Sequence, residues 1–203
     1  MNDSQIQRTI ARLGRNGFEV LRVPSGSEAC ERAKTLVHDG MHVGLGGSTT
    51  VAQIGFLAWI QQHDGITLAN QYAPGISPEE NYEQRRQGLL SDLYVTGCNA
   101  ITLHGELVNV DGDGNRVAAQ IFGPKKVLLI ASIHKIVEDL EAAFERIRTV
   151  AIPRNVERMN AKARSMGRDP QWNADNIANK FAWIDGDKPG RTTIILVDEP
   201  LGF

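Results

Sequence analysis

His42–Gly55, HVGLGGSTTVAQIG, decides how the rest of the chain is read. Met41, Val43 and Leu45 alternate as in a short strand, and Gly44, Gly46 and Gly47 then interrupt it. Ser48-Thr49-Thr50 follows, ahead of a helical run with Val51, Ile54, Leu57 and Ala58 on one side. A strand that turns through glycines into a helix is a building unit of α/β folds. Such a turn offers an anion free backbone N–H groups and the positive end of the helix dipole. It is not a P-loop, because no Lys follows the glycines, and Thr49 stands where the dinucleotide fingerprint needs a further glycine. The expected anion-binding residues here are Gly46, Gly47, Ser48 and Thr49. The competing reading is a tight turn in which Ser or Thr merely caps the helix.

Outward from this unit, strands and helices keep alternating. Ile6, Ile10 and Leu13 recur at helical spacing, FEVLRV reads as a strand stopped by Pro24, and Ser25 or Ser27 caps a second helix. Downstream, ITLAN reads as a strand, and Ser77-Pro78-Glu79-Glu80 combines a capping box with proline at the first helical position. LYVT and the apolar KKVLLIAS read as further strands, the latter buried on both faces. AITLHGELVNV reads as a hairpin folded at His104-Gly105, and Glu138 to Thr149 as a helix. The expected fold is therefore α/β, a mostly parallel sheet flanked by helices, in one domain over residues 1–203. Its core is expected at 17–150. Residues 151–203, with Arg154, Arg158, Lys162, Arg164 and Arg168, read as a polar, irregular appendage ending in the short strand TTIILV.

The second functional stretch is Tyr94–Ile121, YVTGCNAITLHGELVNVDGDGNRVAAQI. Polar residues this dense on glycine-permitted backbone suit a binding site. Asp111-Gly112-Asp113-Gly114-Asn115 resembles the start of a calcium loop, but Arg116 replaces its glycine and Phe122 its closing glutamate. Asn99, Asp111, Asn115 and Arg116 are expected to line the pocket, with Arg116 clamping an acidic substrate. Glu106 and Asp113 are the candidate catalytic carboxylates, as base or nucleophile. The alternative is that these residues are turn formers and Arg116 pairs with Asp111. Cys98 beside His104 admits a thiolate–imidazole reading, but a small residue in a buried turn is the commoner explanation. His38 and His42 are separated by Gly40 and do not form a metal pair; Arg85-Arg86 and Lys125-Lys126 read as solvated. If one substrate touches both constellations, Glu106 or Asp113 must lie within about 10 Å of Ser48–Thr49.

Composition sets the bounds. At 203 residues, 41% hydrophobic, 23% charged and net charge −2, the chain reads as globular with no drive toward nucleic acid or membrane. Two cysteines and a polar N-terminus point to a reducing cytoplasm.

GLGGSTTVAQIG, SDLYVTGCNAIT, GELVNVDGDGNRVAAQIFGPKKV, HKIVEDLEAAFERIRTVAIPRNVERMN and RTTIILVDEPLGF, in that order, resemble the LUD-domain family of lactate-utilisation proteins. The resemblance implies the fold of ribose-5-phosphate isomerase, glucosamine-6-phosphate deaminase and CoA transferases. In that superfamily a glycine-rich turn such as Gly44–Thr49 binds phosphate or the anionic part of a cofactor. It also implies a place in bacterial oxidation of lactate to pyruvate, beside iron–sulfur oxidoreductase subunits. Residues 153–203 lack the cysteine cluster of many relatives, so neither an iron–sulfur cluster nor zinc is expected on this chain. No metal or particular cofactor is specified, and homo-oligomerisation is left open. The leading expectation is a LUD-domain protein binding a small anionic metabolite or phosphate-bearing ligand. The alternatives are an isomerase or acyl/CoA transferase of the same fold, and a non-catalytic subunit docking an iron–sulfur oxidoreductase through the basic C-terminal segment.

Overall fold

The computed structural model describes residues 1–203. In chain order its first half runs α1 (Asp3–Arg15), β1 (Glu19–Val23), α2 (Gly26–Lys34), β2 (His42–Leu45), α3 (Thr49–Gln53), α4 (Phe56–Ile60), β3 (Thr67–Ala69) and α5 (Pro78–Gly88). Next come β4 (Leu93–Gly97), β5 (Ala100–Thr102), β6 (Leu107–Asp111), α6 (Asn115–Ile121), β7 (Lys126–Ser132) and β8 (Ile136–Val137). The chain closes with α7 (Leu140–Arg146), α8 (Ile152–Ser165), α9 (Ala174–Ile177), β9 (Lys180–Ile184) and β10 (Thr192–Val197). The capping box that starts α5 is present, with Ser77 and Glu80 each bonding the other's backbone.

Six parallel strands form the main sheet in the order β1-β10-β7-β4-β2-β3. A parallel sheet is covered on both faces, and the side-chain alternation of its central strands shows this directly. Leu128 and Ile130 of β7, with Ile195 and Val197 of β10, pack under α2, α3 and α4. Their neighbours Leu129, Ala131, Ile194 and Leu196 pack on the opposite face with Ile6 and Leu13 of α1. The expected hairpin is present, Ile101 pairing with Leu107. It forms the middle of a second, four-stranded sheet ordered β8-β5-β6-β9. Ile101 and Leu107 face the main sheet, while Ala100, Val108 and Val110 face Ala143, Ile147 and Ile152 of the α7–α8 region. The second sheet is thus a layer between the main sheet and the last helices.

The expectation for residues 151–203 is corrected. β10 is no terminal appendage strand: it pairs with β1 over five residues on one side and with β7 over six on the other. The helical run also does not stop at Thr149. A wide π turn, Ile147–Ala151, carries it past Pro153 into α8, where the proline occupies the first turn and no interior bond is broken. The aperiodic stretch near residue 180 holds β9, whose pairing with β6 completes the second sheet.

A central β10 has a measurable consequence. Ile195, fully buried, is expected to cost about 2–5 kcal/mol on Ile195→Ala, read by urea unfolding, whereas a residue in a loose tail costs about 0.5 kcal/mol or less.

Candidate functional site

Because all strands of the main sheet are parallel, the loops leaving β2, β3, β4, β7 and β10 emerge on one edge. They contribute Gly47–Thr49, Gln71 and Tyr72, Gly97–Asn99, Lys135 and Phe203, respectively, to one cavity of about 220 Å³. The facing wall comes from the open end of the β5–β6 hairpin, the start of α6, and α8. Asn155, Arg158, Met159 and Lys162 recur at helical spacing, so α8 turns one face to the cavity.

The Gly47–Thr49 turn is built for close approach. Ser48 caps α3, its Oγ accepting from the Val51 N–H at 3.2 Å. A Cβ on Gly97 would stand 2.5 Å from that Oγ, so only glycine lets the end of β4 abut the turn. The N–H groups of Gly47, Ser48 and Thr49 have no acceptor within the chain. Thr50 is buried and its hydroxyl accepts from Lys135 Nζ at 3.1 Å.

Arg116 organises the opposite wall. It is 8% exposed, and all five of its N–H donors are taken within the chain. Nε donates to Asp111 Oδ1 at 2.9 Å, Nη1 to Asn109 Oδ1 and the Gly97 carbonyl, and Nη2 to Asn99 Oδ1 and the Val110 carbonyl. Asp111 Oδ2 in turn accepts the Arg116 and Val117 N–H groups at the start of α6. Gly114, at φ +96°, supplies the left-handed residue from which that helix begins. Buried Asn109 and Gln120 extend the network, Asn109 donating to Gln120 Oε1 and Gln120 to the Gly97 carbonyl.

Lys135 is the other buried cation. It is 3% exposed, has no carboxylate partner, and donates to Thr50 Oγ1 and to the Cys98 carbonyl at 3.2 Å. Burial, with a smaller push from Arg146 and Arg116, lowers its ammonium to about 8. Burial likewise pushes the Cys98 thiol up, away from the thiolate. Five basic side chains line the cavity against two carboxylates, Asp111 and Asp113.

The structure brings Gly47, Ser48, Thr49, Asn99, Asp111, Asp113, Asn115 and Arg116 to this one cavity. Two expected residues are not there. Glu106 lies at the turn of the hairpin, the end away from the cavity, where it is buried and accepts the Thr102 hydroxyl at 2.5 Å. Its neighbour Gly105 packs on the C-terminal end of α1. Gly46 belongs to the strand end: its N–H bonds the Val95 carbonyl, and it packs on Thr96. The expectation that Arg116 clamps substrate is also corrected, since it has no donor left; Arg116 and Asp111 are a structural pair, as the alternative reading had it. His104 sits on the hairpin turn and forms no pair with Cys98, whose Sγ is directed to the Ala100 carbonyl at 2.9 Å. Arg85 is not simply solvated: it lines the cavity and pairs with Asp113, its Nε buried and unpartnered. The residues that sequence reasoning missed are Lys135, Arg158, Lys162 and Arg85. For the α8 pair the spacing Asn155, Arg158, Met159, Lys162 was a usable signal; for Lys135 there was none.

A family model described as the LUD domain matches residues 6–197. No curated protein sequence matches the chain. Among solved structures, a DUF162 family protein from Deinococcus radiodurans is similar at TM-score 0.52 and 16% identity, with 96% of each chain covered. Ribose 5 phosphate isomerase A from Neisseria gonorrhoeae aligns at TM-score 0.37 and 16% identity, over 66% of this chain and 65% of that one. The first likeness supports the fold; the second is too distant to carry an argument.

Two outcomes follow from the buried cations. Arg116→Ala leaves Asp111 buried without its partner and is expected to cost about 3–5 kcal/mol in chemical unfolding. Lys135 holds its proton less tightly folded, at about 8, than at the ordinary lysine value of 10.5. Between those pH values the unfolded chain binds more protons, so this residue makes stability rise with pH, by ~3 kcal/mol at most. Unfolding of wild type and Lys135→Met at pH 8 and 10 checks it: the variant is expected to lose that rise.

Proposed function

The chain belongs to the LUD-domain family, and on that premise we propose that it holds a small anionic metabolite, carboxylate- or phosphate-bearing, against the Gly47–Thr49 turn. The process we assign is lactate or related organic-acid utilisation in the cytoplasm. No helix is long and apolar enough to cross a membrane. The observation that carries the reading is a charge imbalance. Lys135, Arg158 and Lys162 line the cavity without a carboxylate partner, together with three backbone N–H groups that have no acceptor. Unpaired cations and free N–H groups around one small volume are compensated by a bound anion.

Asp113 favours chemistry over a purely accessory role. It is the one cavity carboxylate not consumed by the Arg116 network, and it stands on the rim beside Arg85. We assign it the base of an isomerase or acyl-transfer type of reaction; Glu106, at the far end of the hairpin, has no part in it. Docking to iron–sulfur subunits through the C-terminal basic segment draws less support, because Arg158 and Lys162 are turned to the cavity.

A thermal-shift screen of inorganic phosphate, acyl-CoAs and short hydroxy and oxo acids tests this. A ligand at a hundredfold its Kd is expected to stabilise the fold by about 2.7 kcal/mol. Arg158→Gln, removing a charged donor worth roughly 1.5 kcal/mol, is expected to weaken the hit about tenfold, and Glu106→Gln to leave it unchanged. A screen without a hit, or a hit indifferent to Arg158→Gln, sinks the proposal.

A further inference from the structure

We propose that Lys135 is an imine-forming lysine, and that the ligand it captures is a short 2-oxo acid. The inference rests on the anion reading of the Gly47–Thr49 turn and names the substrate class for it. Three placements carry it. The first is the neighbourhood: Nζ donates to the hydroxyl of Thr50, the residue directly after the turn whose free N–H groups suit a carboxylate. A 2-oxo acid carries its carbonyl carbon one bond from its carboxylate, so seating the acid group on that turn brings the carbonyl toward Nζ.

The second is the hydrogen bonding of the amine. A neutral amine has two N–H bonds, and two acceptors are provided, Thr50 Oγ1 and the Cys98 carbonyl. Nothing in the chain donates to Nζ, and its lone pair is left for an electrophile. The third is enclosure. Gly202 closes over the lysine, near enough that a Cβ there would stand 2.8 Å from Nζ, and its N–H is anchored to Gln53 Oε1 at 2.6 Å. No carboxylate pairs with the amine, so nothing holds it as ammonium, and burial lowers its proton affinity to about 8.

The step balances without a further reactant. Nζ adds to the carbonyl carbon, giving a carbinolamine, and the C–O bond then breaks. From lysine ammonium and ketone the products are a protonated imine and one water, with charge conserved. The protonated imine draws electrons from the adjacent carbon and makes its C–H acidic, which sets the reaction class: proton exchange or carbon–carbon chemistry at C3. Asp113, on the rim of the same cavity, is the base available for that proton.

The test is trapping. The full chain is incubated with pyruvate and sodium borohydride, digested, and mapped by mass spectrometry, alongside thermal shift with pyruvate alone. The expected result is a reduced pyruvate adduct on the peptide containing Lys135, lost in Lys135→Arg. Because mapping the wild-type chain locates the adduct by itself, the test stands even if the variant folds poorly. No adduct, or one spread evenly over surface lysines, overturns the imine. If pyruvate still raises the melting temperature in that case, the anion site survives and only the covalent step falls. If neither adduct nor shift is seen with pyruvate, while another anion shifts the melt, the imine and the 2-oxo acid assignment both fall and the anion site stands.

Discussion

The site depends on one saturated cation. Arg116 ties three separately built pieces together: the end of β4 through the Gly97 carbonyl, the open end of the β5–β6 hairpin through Asn99, Asn109 and Val110, and the start of α6 through Asp111. A buried guanidinium is tolerable only when every donor is matched, and a partly matched one is worse than none. That requirement explains why the stretch is so rich in Asn and Asp. Three of its five Asn and Asp side chains, Asn99, Asn109 and Asp111, bond the arginine, and the arginine ties the second sheet to the main one.

With that spacing set, the parallel sheet supplies the rest. Five loops leave the same edge, and each brings one to three residues to the cavity instead of a single motif bringing all of them. The two buried cations then divide the labour through their surroundings. Arg116 has a carboxylate and four neutral acceptors and is structural; Lys135 has two neutral acceptors and no carboxylate, and its proton is held loosely. Similar depth with different partners gives one residue to the scaffold and leaves the other open to a ligand.

Much of the fold was legible because its signals are local. The glycine turn after β2, the Ser77–Glu80 capping box and the apolar run of β7 are each decided within a few residues. Residues 151–203 were not, for two reasons. TTIILV looks the same whether it ends a tail or fills a gap between β1 and β7, since pairing partners so far away in the chain leave no local trace. The helix expected to end at Thr149 continues, because the wide turn Ile147–Ala151 leads into α8 with Pro153 in its first turn. The site was legible as a region, not residue by residue. Residues 97–116 did converge with Gly47–Thr49, but Arg116 and Asp111 were spent on each other, and Glu106 faced away because a hairpin sends its turn and its open end in opposite directions.

The late strand also bears on how the site is secured. β10 enters the sheet between two strands made much earlier in the chain, and the segment that follows it, through Gly202, closes over Lys135 and Thr50. The central strand and the cover of the buried lysine therefore come from the same last stretch of chain. In the folded chain burial lowers the proton affinity of Lys135, and its partners are Thr50 and the Cys98 carbonyl. The packing of the main sheet and the enclosure of the lysine therefore both draw on that one stretch.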